Sequence, residues 1–176
     1  MARTLEYDDT ELQRLFAEME PKLRLKALKG AFRREANRVR KTALNNLRGS
    51  IRSDRDLERG VRALVFKRKA GFRVTVGTKS ASKKTGKGEQ GYHVNRRGLK
   101  KPVLIWAEDG TKWRKSKKAT RYMVGGKWRT GTTRGFMKRY GFMQKTAADV
   151  RDRVTDSLHD EVINSVRKVA KKHGCT

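Results

Sequence analysis

Between Lys79 and Arg139 the chain carries 19 Lys/Arg against three acidic residues, Glu89, Glu108 and Asp109. Residues 1–78 are milder, with 20 basic and ten acidic, and residues 140–176 are nearly balanced, with seven and five. So positive a segment holds far more cations than it has acids to pair with. It needs water on every side or a polyanion beside it, because unpaired charge is costly to bury. The same 61 residues hold all three tryptophans and nine of the 16 glycines. A field of this kind attracts nucleic acid through counterion release, whatever the bases are.

The 176 residues suit a single domain over 1–176, with basic loops or arms over 79–101 and 112–139 projecting from it. At 35% apolar and 36% charged, there is enough for a compact core but not one running through the whole chain. Cys175 is the sole cysteine, which excludes an intrachain disulfide. The start, MARTLEYDDTEL, has no apolar leader core. No run approaches the roughly 18 apolar residues of a membrane span, so a soluble, non-secreted protein without membrane contact is expected.

Periodicity predicts the framework. Leu12, Leu15, Phe16 and Met19 have helical spacing behind Asp8, Asp9 and Thr10, which suit a helix start. Pro21 opens a second helix whose apolar stripe is Leu25, Leu28, Phe32, Ala36, Val39, Ala43 and Leu47. Over roughly 27 residues this helix would reach about 40 Å, ending at Gly49-Ser50. Val61, Ala63 and Val65, then Phe72, Val74 and Val76, alternate around Lys69-Ala70-Gly71 and predict a β-hairpin. Val103–Ala107 reads as a further strand ended by Asp109-Gly110. A short hairpin fits around Gly125-Gly126, between Tyr122/Val124 and Trp128. Met143, Ala147, Val150, Val154, Leu158, Val162, Val166 and Val169 predict one long C-terminal helix up to Gly174. The expected class is α+β: a small antiparallel sheet packed against a long N-terminal helix and a C-terminal helix.

Catalytic patterns are sparse. His93, His159 and His173 form no HExxH or HxxxH motif, and one cysteine builds no zinc knuckle with them. Asp156, Asp160 and Glu161 are better explained as a solvated helix face than as a metal-dependent nuclease site. Gly77-Thr78-Lys79 and Gly86-Lys87-Gly88 do not fit phosphate-loop spacing. No enzyme activity, cofactor or metal is expected.

The basic clusters speak more clearly. Lys83, Lys84 and Lys87, then Arg96, Arg97, Lys100 and Lys101, then Arg114, Lys115, Lys117 and Lys118, are the candidate contacts to nucleic acid or an acidic partner. Trp113, Tyr122, Trp128 and Phe136 are candidates for a subunit interface; stacking on unpaired bases is the alternative for the first three. No base-reading motif is present, so any nucleic-acid contact should be indifferent to sequence.

The order of parts resembles a known pattern. A long basic amphipathic helix leads into Leu-Arg-Gly-Ser-Ile (Leu47–Ile51), then a hairpin ending in VTVGT (Val74–Thr78). Trp-Ala-Glu-Asp-Gly-Thr (Trp106–Thr111) follows, then a variable loop, Gly-Phe-Met (Gly141–Met143) and a final amphipathic helix. This resembles the tail-completion family of long-tailed double-stranded DNA bacteriophages, relatives of the minor-tail Z type. Glu108, Gly110 and Thr111 match the family's acidic-Gly-Thr element, and Phe142-Met143 stands where the family has Phe-Leu. The usual proline before that pair is replaced by Gly141, and no Pro-x-x-Thr-Gly precedes the hairpin. The resemblance implies a structural virion protein of the neck, made in the host cytoplasm, that joins the tail to the filled head. Its implied partners are further copies of itself in a ring, six by tail symmetry, neighbouring connector and tail-tube or terminator proteins, and duplex DNA in the channel. A sequence-independent nucleic-acid-binding protein, ribosome-associated or DNA-compacting, is the alternative.

Overall fold

The computed structural model describes residues 14, 17, 19–67, 70–81, 88–94, 98–133 and 135–173. The elements are α1 (Pro21–Ser50), α2 (Arg55–Glu58), β1 (Val61–Val65), β2 (Phe72–Val76), β3 (His93–Val94) and β4 (Lys100–Lys101). After these come α3 (Val103–Asp109), β5 (Lys115–Val124), β6 (Lys127–Thr133), α4 (Phe142–Val150) and α5 (Val154–His173). The strands form three two-stranded sheets, β1-β2, β3-β4 and β5-β6. The protein is α+β, with a long N-terminal helix and a C-terminal helix. Leu12, Leu15 and Phe16 of the first predicted stripe lie outside the described residues, whereas Met19 is buried.

The chain divides into two compact units, one from Met1–Thr42, Ala63–Thr75 and Ala147–Thr176, the other from Ala43–Arg62 and Val76–Thr146. In the first unit Met19 and Ala27 of the N-terminal part pack with Val166 of α5, flanked by Leu23, Val162 and Val169. The apolar stripe departs from expectation at its start, where Leu25 is 44% exposed while Ala27 and Ala31 are buried; Ala36, Val39, Ala43 and Leu47 are buried as expected. Small side chains let a neighbouring helix approach, and that closeness excludes water better than a bulkier residue on the adjoining face. Polar groups hold the same two helices together. Buried Glu35 accepts from Arg38 Nη1 at 2.8 Å and from Ser157 Oγ at 2.7 Å. Glu161 accepts from Arg34 and, at 3.0 Å, from Arg38 Nη2. The predicted hairpin is present as β1–β2, and Phe72 stands 6.4 Å from Phe32 of α1, ring centre to ring centre.

The expected single C-terminal helix is two. Residues 151–153 form a turn in which Arg153 N–H reaches Val150 O at 3.1 Å. Arg151, Asp152 and Arg153 are all exposed. Without packing, the weak helix propensity of Asp is not overridden. The apolar spacing runs unbroken through the turn, so periodicity could not reveal it.

In the second unit, Ala43, Leu44, Leu47, Leu57, Val61, Leu104, Ala107 and Phe142 are buried. Asp54 caps α2 through Leu57 N at 2.7 Å. Arg48 clasps Glu58 with two 2.7 Å bonds, the bidentate geometry that fixes a guanidinium best. Three backbone segments cross nearby. A Cβ on Gly60 would lie 2.7 Å from Gly91 Cα and 2.8 Å from Gly77 O, closer than side chains tolerate.

Val103–Asp109 is a helix, not the expected strand. Leu104 and Ala107, three apart, are the buried pair. A strand would instead have buried alternate residues. Pro102 precedes the helix, and Gly110 at φ 75° ends it, donating to Trp106 O at 2.8 Å. A short apolar run suits either state, and the tertiary partner decides.

Gly60→Ala forces backbone apart and should cost about 1–3 kcal/mol. Gly49→Ala, in α1 with nothing within 4 Å of the new methyl, should gain up to about 1 kcal/mol. Urea unfolding of the two variants checks the opposite signs.

Candidate polyanion-facing ribbon

From Gly110 to Ala148 the sequence holds 12 Lys/Arg and no acidic residue. The centre of this stretch is the antiparallel ribbon β5–β6. It turns at Gly125-Gly126, whose φ values of 57° and 75° suit the two-residue turn favoured by twisted strands. The pairs Arg121↔Thr130, Tyr122↔Arg129, Met123↔Trp128 and Val124↔Lys127 set its register. Opposite residues share a face. One face therefore carries Arg121, Met123, Trp128 and Thr130, with the Arg121 guanidinium 5.0 Å over the Trp128 ring. The other carries Tyr122, Arg129 and Lys127, with the Tyr122 ring lying over Gly131.

None of the ribbon side chains whose burial is described is buried, on either face. Trp128 is 57% and Met123 56% exposed. A two-stranded ribbon without an apolar face against a core is marginally stable in water. Among the described residues Lys115, Lys117, Lys127 and Arg129 form no ion pair. The ribbon thus presents cations and two large apolar side chains with no counter-charge of its own.

The root of the ribbon is well held. Thr111 N donates to Met137 O at 3.0 Å, Met137 N to Thr111 Oγ1 at 2.8 Å, and Arg114 N to Gly135 O at 3.0 Å. Trp113 and Phe136 pack with ring centres 4.9 Å apart and planes tilted by 50°, and the Arg114 guanidinium lies 4.4 Å over Trp106. Tyr140 N reaches Ala107 O at 2.9 Å. The Glu108 carboxylate accepts from Met143 N at 2.9 Å, so it caps α4 from a distant segment and sets a negative charge at the helix's positive end. Beneath it, Thr146 Oγ1 donates to Phe142 O at 2.7 Å and accepts from Asn46 Nδ2 at 3.1 Å.

The sequence-predicted residues divide accordingly. Lys83, Lys84, Lys87, Arg96 and Arg97 lie outside the described residues. Lys100 pairs with Glu89, whereas its neighbour Lys101 is exposed in β4 opposite His93. Arg114 is half-buried on Trp106, so its face is occupied. Lys115, Lys117 and Lys118 are exposed on β5. Trp113 and Phe136 sit at the root, Tyr122 and Trp128 on opposite faces near the tip. Arg121, Lys127 and Arg129 escaped the sequence reading; the acid-free run flanking Gly125-Gly126 was the signal that could have found them. Of the carboxylates weighed for a nuclease, Glu161 is held by Arg34 and Arg38.

Comparison with protein-family models, curated proteins and solved structures finds no match to this chain.

Removing the remote cap in Glu108→Ala should cost about 1–2 kcal/mol, with Asp109→Ala within about 0.5 kcal/mol of wild type; chemical denaturation compares them. Lys100, by its hydrogen bond, holds the Glu89 carboxyl below its ordinary value. A depressed carboxyl contributes stability above its unfolded-state pKa, and that contribution is lost as pH falls through the lowered folded value. Lys100→Met should move the Glu89 titration upward, read by carboxyl NMR, and weaken this part of the acid dependence, leaving the share held by the Ala81 backbone hydrogen bond.

Proposed function

We propose that this chain is a structural subunit of the neck of a long-tailed DNA phage, a ring-forming tail-completion protein that joins the tail to the filled head. The reading rests on the order of motifs, and one observation carries it beyond order. Trp-Ala-Glu-Asp-Gly-Thr and Gly-Phe-Met, far apart in sequence, meet through the Glu108–Met143 bond and together root the acid-free ribbon. A subunit lining a channel filled with duplex has a use for such a ribbon: its cations face a dense negative charge, and Trp128 and Met123 can pack on a neighbouring subunit. Closed cyclic symmetry builds such a collar from one chain. The role is structural and requires no reacting group.

The composition of the ribbon also favours the second reading, sequence-independent nucleic-acid binding. Lys115–Thr133 contains no Asn, Gln, Asp or Glu, so the amide and carboxylate side chains that pair with adenine and cytosine edges are absent, and its Lys and Arg can serve phosphates of any sequence. A free-standing binder would hold duplex tightly as a monomer, whereas a collar subunit would assemble on connector or tail proteins.

Deleting the reading frame from a phage that carries it should leave DNA-filled heads and separate tails in negative-stain micrographs. Joined, infectious virions from that deletion would overturn the neck reading.

A further inference from the structure

Among the described residues, a second concentration of cations without an ion pair lies in the first unit, and it includes none of the residues discussed as contacts above. Lys22, Lys26, Lys29 and Arg33 follow one another along α1 at steps of four, three and four, which places them on one face of the helix. Lys168 of α5 stands across from them, and Leu25, Ala27, Gly30, Ser165 and Val169 complete a groove of about 520 Å³. Arg34 lies at its border but is engaged with Glu161 and Ser165. Among the described residues, none of the five remaining cations forms an ion pair, and no carboxylate lines the groove.

The arrangement works against the helix that carries it. Like charges at i, i+3 and i, i+4 repel. The row also begins in the first turn of α1, where the helix dipole is positive and no acidic residue is present. Elsewhere the same helix does the opposite, pairing Arg34 and Arg38 with Glu161 and Glu35. An anion supplied from outside relieves the repulsion and the dipole together. The row spans 11 residues, roughly 16 Å along the helix axis. Phosphates recur about every 3.4 Å per strand of duplex, so a regular line of cations faces a regular line of anions. The floor offers little to a protein partner, since Leu25 is its one exposed large apolar side chain.

We propose that Lys22, Lys26, Lys29 and Arg33, with Lys168, form a binding site for the phosphodiester backbone of duplex DNA, separate from the ribbon. It holds whether or not the chain is assembled into a virion.

The test uses the full chain and a fluorescent 30-base-pair duplex of arbitrary sequence, with binding followed by anisotropy from 50 to 200 mM salt. The triple variant Lys22→Gln, Lys26→Gln, Lys29→Gln, at two exposed and one half-buried position, relieves repulsion within α1 and should fold, which circular dichroism verifies. Its salt slope, d log K against d log salt, should flatten by about 2–3 relative to wild type, close to one unit per lost phosphate contact. Gly30→Glu places a carboxylate on the groove floor, where a Cβ has nothing nearer than 3.7 Å, and should weaken binding without removing any cation. A ribbon variant, Lys117→Gln, Lys127→Gln, Arg129→Gln, measured alongside reports on the other site alone. Wild-type affinity and slope in the triple variant would overturn the proposal. So would tighter uptake of polyglutamate than of duplex at equal charge, which would assign the groove to an acidic protein. The neck reading is judged separately by the deletion phage.

Discussion

Carboxylates are scarce in this molecule, and their placement organises it. Eighteen acidic residues serve 46 Lys/Arg, so most cations have no carboxylate available to them within the chain. Those carboxylates that the fold engages stand at joints. Glu35 and Glu161 tie α1 to α5, Glu58 holds Arg48, Asp54 caps α2, Glu89 takes Lys100, and Glu108 caps α4. Apart from the Glu35–Arg38 pair within α1, each contact joins segments or satisfies a helix end, where a charged acceptor is worth most. The β5–β6 ribbon and the Lys22–Arg33 row of α1 stay cationic because the engaged carboxylates stand elsewhere in the fold. Folding thus sorts the charge into internal pairs and open positive surface.

The second unit shows how such a surface is supported without a large core. Gly60, Gly77 and Gly91 bring three backbones closer than side chains would permit, beneath Leu104. That crossing positions α3, and α3 in turn carries Glu108 toward Met143 and Thr111 toward Met137. The ribbon leaves from this well-bonded root, while its own two strands have only each other, with Trp128 exposed on one face and Tyr122 half-buried on the other. Rigid attachment with a poorly covered tip is the arrangement expected of an element that completes its packing on another molecule.

Much of the framework was legible from spacing alone. The long helix, the β1–β2 hairpin and the turn at Gly125-Gly126 follow from apolar periods and turn residues that few other structures would use. Legibility failed where the local signal was degenerate. Val103–Ala107 is apolar throughout, so period could not separate strand from helix, and burial of Leu104 and Ala107 decided it. The break at 151–153 lies within a continuous apolar stripe, because a tight turn preserved the phase of the pattern. Leu25 looked like core and is not, since Ala27 and Ala31 allow the closer helix contact. For the candidate site, Lys115, Lys117 and Trp128 were visible as a charged and aromatic cluster, but Arg121, Lys127 and Arg129 joined it only through strand register.

The sequence by itself determined the charge imbalance, the helical and hairpin segments and the lack of a base-reading motif, because these depend on composition and near neighbours. Tertiary structure alone decided which cations are neutralised, Lys100 by Glu89 and Arg34 by Glu161, yet among the described residues none along Lys22, Lys26, Lys29 and Arg33. Pairing of that kind joins residues up to 127 positions apart, and only the closure of long loops brings such groups within reach.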